Sequence, residues 1–401
     1  MDSVKLPDAP WRHWPGLDRL TAALGPGNAR VVGGAVRDTL LGIPVSDVDI
    51  ATPLDPQDVI ERLERAEIKV IPTGLAHGTV TAVSSGTVVE VTTLRRDLET
   101  DGRHATVAFT DDWREDAARR DFTINALYAD PATGEVFDYF DGLADLEARH
   151  VRFIGDPLLR IAEDHLRILR FFRFLARFGD TPDPASLDAC TARANDLMAL
   201  SRERIADELL KLVVAKDAVR VIALMLERGI FRPVIPEIVA VDRLARVAAL
   251  ETEAGLEPDP IRRLAALLPA DAAVAESVGA RLKLSNVQRK RLIAATEAEL
   301  FGTPRAAAYR LGRDEAIDRL FLFDRPTAVA DARDLTGWEI PRLPISGGAL
   351  IQRGLSKGPD VARALRAVET QWVSEDFPGD DRVAQIADAV ADQALRSSSS
   401  A

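Results

Sequence analysis

Gly33-Gly34-Ala35-Val36-Arg37-Asp38, followed by Asp47-Val48-Asp49, is the stretch whose reading decides the fold class. Val31-Val32 ahead of it and Val48-Asp49-Ile50 at its end read as pieces of β-strand, with the glycine pair as punctuation between them. In a strand, residues i and i+2 point to one side, so Asp47 and Asp49 present two carboxylates together. Like charges that close repel unless a cation neutralises them. Hard oxygen ligands in this arrangement suit Mg²⁺, which commonly takes substrate phosphates as well. The glycines let backbone N–H groups approach a phosphate closely, and Arg37 adds a charge-assisted contact to a triphosphate. An isolated Asp-X-Asp is equally the mark of a solvated turn; its place behind Gly-Gly-X-X-Arg-Asp favours the metal reading.

Working outward, residues 79–83 and 88–92 also read as strands, and Asp55-Pro56 opens a helical stretch over 55–66. Glu90, between Val89 and Val91, is the candidate third carboxylate of a two-metal phosphoryl-transfer site; the alternative is an ordinary solvent-facing strand residue. Residues 29–150 therefore form a small mixed α/β or α+β domain, behind an N-terminal extension over 1–28. From 151 the pattern changes to apolar residues at three- and four-residue spacing, over 158–178, 204–215, 219–228, 244–254 and 261–268. Helices are expected to about Val390, interrupted by a Pro/Gly-rich stretch at 341–348. The Ser-rich end, 397–401, reads as disordered.

Two further constellations carry chemistry. In Arg119-Arg120-Asp121-Phe122-Thr123-Ile124-Asn125, Asp121 and Asn125 are four apart and would share one helical face, gripping ribose hydroxyls while Arg120 reaches phosphate. A helix start with charged caps accounts for the same residues. In Glu163-Asp164-His165-Leu166-Arg167-Ile168-Leu169-Arg170, Asp164 and Arg167 lie one turn apart and offer an acceptor beside a donor. Cytosine and adenine both pair an amino donor with a ring-nitrogen acceptor, which matches that edge; uracil and guanine reverse it. An intrahelical salt bridge on a solvated face is the bland alternative. Arg170, with some of Arg160, Arg173 and Arg177, would serve triphosphate or RNA phosphates, and the others are exposed helix charges that the sequence does not sort.

Composition sets the outer limits. At 401 residues two to four domains are expected, and the 47% hydrophobic and 28% charged fractions are those of an ordinary globular protein. The net charge of −12 speaks superficially against nucleic acid, but binding follows the local clustering of arginines. One cysteine, Cys190, excludes a disulfide framework and a cysteine-rich zinc site. No stretch is apolar enough to span a membrane, and residues 1–20 lack an apolar signal core, so a cytoplasmic location is expected. A P-loop and a His-Glu-X-X-His motif are both absent.

Taken in order, Gly-Gly-Ala-Val-Arg-Asp, Asp-Val-Asp, Arg-Arg-Asp-Phe-Thr-Ile-Asn-Ala and Glu-Asp-His-Leu-Arg-Ile-Leu-Arg resemble the class II tRNA nucleotidyltransferase and bacterial poly(A) polymerase family. Arg202-Glu203-Arg204-Ile205 with Glu208 resembles the segment that closes the family's helical neck. The resemblance covers roughly half the chain. It implies an α+β, polymerase-β-like nucleotidyltransferase head over 29–150 followed by all-α domains: a nucleotide-selecting neck over 151–215, a body over 216–300 and a tRNA-binding tail over 301–396. It implies that Asp47 and Asp49 bind Mg²⁺, that Asp121 and Asn125 contact ribose, and that Asp164 and Arg167 read the base. Arg95-Arg96-Asp97 and Asp101-Gly102-Arg103-His104 resemble the flexible loop with which CCA-adding members switch from C to A. The implied activity is template-independent addition of C, C and A to the tRNA 3′ end from CTP and ATP, with neither DNA nor a membrane as partner. Poly(A) addition to RNA ends is the enzymatic alternative, and a non-catalytic RNA-binding protein is the alternative of another class. The absence of any His-Asp dipeptide argues against the extra phosphohydrolase domain of some relatives.

Overall fold

The computed structural model describes residues 4–100, 105–297, 302–323, 325–356 and 358–399. The chain divides into two compact units, the first ending at Pro236 and the second beginning at Glu237. That boundary lies within the 216–300 segment assigned to the body.

The first unit opens with an α+β head. Its strands are β1 (Arg30–Val32), β2 (Asp49–Thr52), β3 (Lys69–Gly74), β4 (Thr79–Ser84) and β5 (Thr87–Thr93). They continue with β6 (Arg95–Thr100), β7 (Ala105–Phe109), β8 (Leu127–Ala129) and β9 (Val136–Asp138). β6 and β7 form a separate hairpin; the other seven make one mixed sheet in the order β3-β4-β5-β2-β1-β8-β9. Within it β2 and β5 run parallel, which brings Asp49 opposite Glu90, and the remaining neighbours are antiparallel. Alternation does the sorting: Val48 and Ile50 are buried while Asp47 and Asp49 reach solvent, and Val89 and Val91 are buried while Glu90 is exposed. The strand itself begins at Asp49, so Asp47 precedes it on an extended approach.

Helices cover the sheet for equally local reasons. In α1 (Leu17–Leu24), Leu17, Leu20 and Leu24 recur at helical spacing and are all buried. α2 (Gly34–Leu40) follows β1 directly, and its entry residue Gly33 has φ +70°, ψ −120°, a conformation for glycine alone. α3 (Pro56–Arg65) is capped by Asp55, whose carboxylate accepts from the N–H groups of Gln57 and Asp58 at 2.9 and 3.1 Å. The stretch ahead of β1 belongs to this core. Leu6 donates its N–H to Gly134 O at 2.8 Å, and the buried Trp11 donates Nε1–H to Thr39 Oγ1 at 2.8 Å.

The rest of the first unit is helical: α4 (Trp113–Ala118), α5 (Gly142–Glu147), α6 (Pro157–Glu163), α7 (Arg167–Phe178), α8 (Pro184–Ala192), α9 (Arg202–Val213) and α10 (Ala218–Glu227). The single helix expected over 158–178 is broken. Asp164 leaves helical geometry (φ −149°, ψ 108°) and its Oδ1 accepts the N–H of Leu166 at 3.1 Å. A short acidic side chain can satisfy nearby backbone donors better than the helix does, and here it starts a new helix one turn later. α7 then buries Phe171, Phe172, Phe174 and Phe178. Phe122 of the head lies among them, with ring centroids 5.0 Å from Phe153 and 5.1 Å from Phe174. Each such buried ring contributes about 1.5–3 kcal/mol.

The second unit is all helical, from α11 (Asp242–Ala254) through α12 (Pro260–Leu267), α13 (Ala272–Arg281), α14 (Asn286–Thr296) and α15 (Pro304–Leu311). It continues with α16 (Arg313–Leu322), α17 (Ala328–Gly337), α18 (Gly347–Gln352), α19 (Pro359–Ser374) and α20 (Asp380–Ser399). Residues 397–399 of the Ser-rich end thus continue a helix, and 400–401 lie outside the described residues. Buried Glu251 pairs with Arg262 and Arg263, and buried Asp318 pairs with Arg262 and Arg291. Trp372 is inside a core with Leu350, Val368 and Ile386, its Nε1–H given to Pro378 O at 2.9 Å. Among the described residues no helix is long and apolar enough to cross a membrane.

Candidate active site

The first unit contains a polar cavity of about 480 Å³ where the sheet's β1–α2 turn meets the neck helices. Gly33, Gly34 and Arg37 line one side, Arg120, Asp121 and Asn125 another, and Asp164, Arg167 and Arg170 a third. Asp49 reaches it from β2; Asp47 and Glu90 lie beyond its lining. Six arginines (37, 119, 120, 167, 170 and 173) face it against three aspartates (49, 121 and 164), a balance that favours a polyphosphate.

Asp49 sits at the acidic corner. Although water reaches it, desolvation in the cleft pushes its carboxyl above the ordinary range, and Glu90 and Asp47 push the same way against the pull of Arg120. Asp47 accepts a hydrogen bond from Ser46 Oγ at 2.7 Å. Among the described residues no three His, Cys, Asp or Glu side chains close into a metal cage. The donor set is an open group of like charges, which a hard dication relieves electrostatically and to which substrate oxygens can add.

Asp121 and Asn125 do meet, but not on an α-helix. Phe122 is extended (φ −120°, ψ 149°) and Thr123–Asn125 is a 3-10 turn. Buried Asp121 accepts Asn125 Nδ2–H at 3.0 Å, its neighbour's Phe122 N–H at 2.8 Å and Arg170 Nε–H at 2.9 Å. Burial alone would raise its carboxyl; Arg170 and Asn125 overcome that and hold it below the usual range. Thr123 Oγ1–H, donated to Asp145 Oδ2 at 2.6 Å, pins the turn from behind.

The arginines are pre-set by acids. Arg37 is buried, donates Nε–H to Asp38 at 2.8 Å and a second N–H to Asn125 Oδ1, and lies 4.2 Å from the Phe178 ring centroid. Burial depresses its pKa in spite of Asp38. Arg173 donates to buried Glu208 of α9 at 2.6 Å, and Arg177 stands 3.5 Å from Asp38. Asp164 accepts from Arg204 at 2.7 Å, while Arg167 donates to Arg160 O, Arg119 O and Glu163. The expected base-reading pair therefore takes separate protein partners across a helix break, instead of sharing one helix.

Asp116 is the organising residue missed in the sequence. It is 1% exposed and accepts from Arg119 at 2.9 and 3.0 Å, Arg120 at 3.0 Å and Tyr128 OH at 2.6 Å. Burial works against its charge, but Arg120, Arg119 and Tyr128 hold its carboxyl at about 2. The signal was present: Asp116 stands three and four residues before Arg119 and Arg120, the spacing at which helical ion pairs form. Asp116 also accepts the N–H of Arg95 at 3.2 Å, where β6 begins. Arg95 Nη1–H reaches His77 O at 2.7 Å, and Asp97 lies within β6, its backbone opposite Val107. Asp101 and Arg103 lie outside the described residues.

Residues 29–152 match the family model described as the poly A polymerase head domain, and residues 181–241 match that of the probable RNA and SrmB-binding site of polymerase A. The mouse protein named CCA tRNA nucleotidyltransferase 1, mitochondrial, is 35% identical over 387 residues, covering 89% of this chain and 86% of its own length. The CCA-adding enzyme of Limosilactobacillus fermentum is 32% identical over 367 residues, covering 88% and 90%. Among solved structures, the Bacillus stearothermophilus CCA-adding enzyme in complex with CTP superposes with a TM-score of 0.67 at 26% identity, over 92% of this chain and 95% of that one. The Thermotoga maritima CCA-adding enzyme complexed with tRNA gives 0.67 at 20% identity over 95% and 94%, a likeness of fold.

Proposed function

This chain belongs to the family of CCA-adding tRNA nucleotidyltransferases built on the poly A polymerase head, and from that membership we propose that it adds C, C and A to the tRNA 3′ end without a template. CTP and ATP are the donors and pyrophosphate leaves. One observation carries the reading: Asp49, the Gly33-Gly34 turn, the Asp121–Asn125 pair and the Asp164/Arg167 edge all border a single arginine-rich cavity.

Asp47 and Asp49 would hold Mg²⁺, with Glu90 adding negative charge beside them. Mg²⁺ bound there supplies activation of the 3′-hydroxyl and neutralisation of the charge on the departing pyrophosphate. The chain's own contribution is positioning. Asn125 and Asp121 grip the ribose, and the backbone at Gly33-Gly34 with Arg37, Arg120 and Arg170 orients the triphosphate. Asp164 accepts from the amino group of cytosine or adenine. A carboxylate has about four acceptor positions, so the bonds from Arg204 and Leu166 leave it capacity. Arg167 donates to the neighbouring ring nitrogen. A uracil carbonyl facing Asp164, or an N–H facing Arg167, leaves buried polar groups unpaired and is rejected. The segment that carries Arg95, Asp97, Asp101 and Arg103 is proposed to act in the change from C to A. The acceptor is RNA and not DNA, and the setting is the cytoplasm.

The test uses purified protein, Mg²⁺ and a tRNA transcript lacking its last three nucleotides, with products resolved by single nucleotides. CTP alone should give two additions, and CTP with ATP two C and one A followed by a stop. A long adenylate ladder independent of CTP would make this a poly(A) polymerase, and no extension at all would overturn the catalytic reading and return the non-catalytic RNA-binding alternative.

A further inference from the structure

Arg167 donates three hydrogen bonds to protein: Nη1 to Arg160 O at 2.9 Å and to Glu163, and Nη2 to Arg119 O at 3.0 Å. A guanidinium carries five N–H groups, so one on Nη2 and that of Nε remain, and among the described residues no acceptor takes them. What fixes those two donors fixes the base that Arg167 can meet. Glu163, 14% exposed, uses Oε2 for Arg167 and Oε1 for Arg160. Arg160, 19% exposed, then donates Nη1–H to Ala118 O at 2.9 Å. Ala118 is the last residue of α4 and Arg119 follows it, so both carbonyls belong to a helix C-terminus, where carbonyls lack intrahelical partners and the dipole favours cations. The contacts thus form a closed ring: Ala118 O, Arg160, Glu163, Arg167, Arg119 O.

We propose that Arg160 is a specificity-positioning residue: it touches neither nucleotide nor metal, but through Glu163 and the end of α4 it aims the two remaining donors of Arg167. The inference rests on the reading of Arg167 as a base reader. It implies that selection of C and A over U and G depends on a side chain that lies outside the cavity lining.

Without Arg160, Glu163 is freed at Oε1 and Arg167 follows it, so the donor angle loosens while the triphosphate and ribose contacts persist. Lysine cannot restore the ring, because a single ammonium lacks the planar fork that spans Glu163 and Ala118 O. The experiment compares wild type, Arg160→Ala, Arg160→Lys and Arg167→Ala in single-nucleotide addition from CTP against UTP, with melting temperatures recorded for each. Arg160→Ala should lower the CTP/UTP ratio of kcat/KM at least ~10-fold by admitting UTP, with CTP addition largely kept, and Arg160→Lys should recover only part of the ratio. If Arg167→Ala relaxes selection while Arg160→Ala, or Arg160→Lys where the alanine variant does not fold, keeps the wild-type ratio, the role of Arg160 is overturned. If Arg167→Ala itself leaves the ratio unchanged, the base-reading assignment fails and this inference falls with it.

Discussion

Asp116 carries the strongest electrostatic prediction because it is buried, charged and fully paired. Its carboxyl is held at about 2 against an ordinary value of 3.8. A depressed carboxylate contributes stability that is fully present above its unfolded pKa and is lost as the pH falls through the folded one. The contribution amounts to about 2 kcal/mol at neutral pH. Asp116→Asn should therefore be less stable than wild type by about that amount at pH 7, with the gap closing as pH drops from 4 towards 2. Urea titrations at pH 7, 4 and 3 measure it, and a gap independent of pH would contradict the account. At this scale the sequence was unevenly legible. Asp49, Asp121, Asn125, Asp164 and Arg167 could be singled out because the chemistry proposed for them rests on residue type and spacing, and they line one cavity. Asp38, Asp116, Glu163 and Glu208 were harder, because a carboxylate that serves to hold an arginine looks like any surface acid until its partner is known.

At the level of elements, the 3-10 turn Thr123–Asn125 is held from below by Gly142, the first residue of α5. A Cβ there would lie 2.3 Å from Thr123 O and 2.9 Å from Thr123 C, both backbone atoms. Gly142→Ala should cost about 1–3 kcal/mol and displace the turn that carries Asn125. Because the ribose contact proposed for Asn125 would be common to both substrates, KM for CTP and for ATP should rise together while discrimination against UTP and GTP is kept. A rise for one nucleotide alone would contradict the assigned role of the turn. This pattern is the opposite of that expected for Arg160→Ala. The elements also show where periodicity misleads. Apolar spacing located α3, α9, α10, α11 and α12 closely, since each buries one stripe. It ran straight through Asp164, because the apolar phase of Leu158, Ile161, Leu166 and Leu169 barely changes across the break. The spacing of Asp121 and Asn125 likewise suggested a helix where an extended residue and a tight turn give the same proximity.

For the whole molecule, all the residues assigned to chemistry lie in the first unit, and the second has its own apolar cores and a buried ion network around Glu251 and Asp318. The sequence could place the second unit in the all-helical class and no further, because apolar stripes report burial and carry no record of what an outer face binds. Trp372 illustrates the point: the sequence shows an aromatic residue and no more, and the structure makes it a core residue bonded to Pro378 O. The central claim is that protein side chains around one cavity choose the nucleotide, with no template. The most direct measurement is equilibrium titration of the protein with each of the four nucleoside triphosphates, in Mg²⁺ and without RNA. Asp164 and Arg167 predict that CTP and ATP bind at least ~10-fold more tightly than UTP and GTP, the discrimination expected of a paired polar edge. Equal affinity for all four would contradict selection by the protein alone.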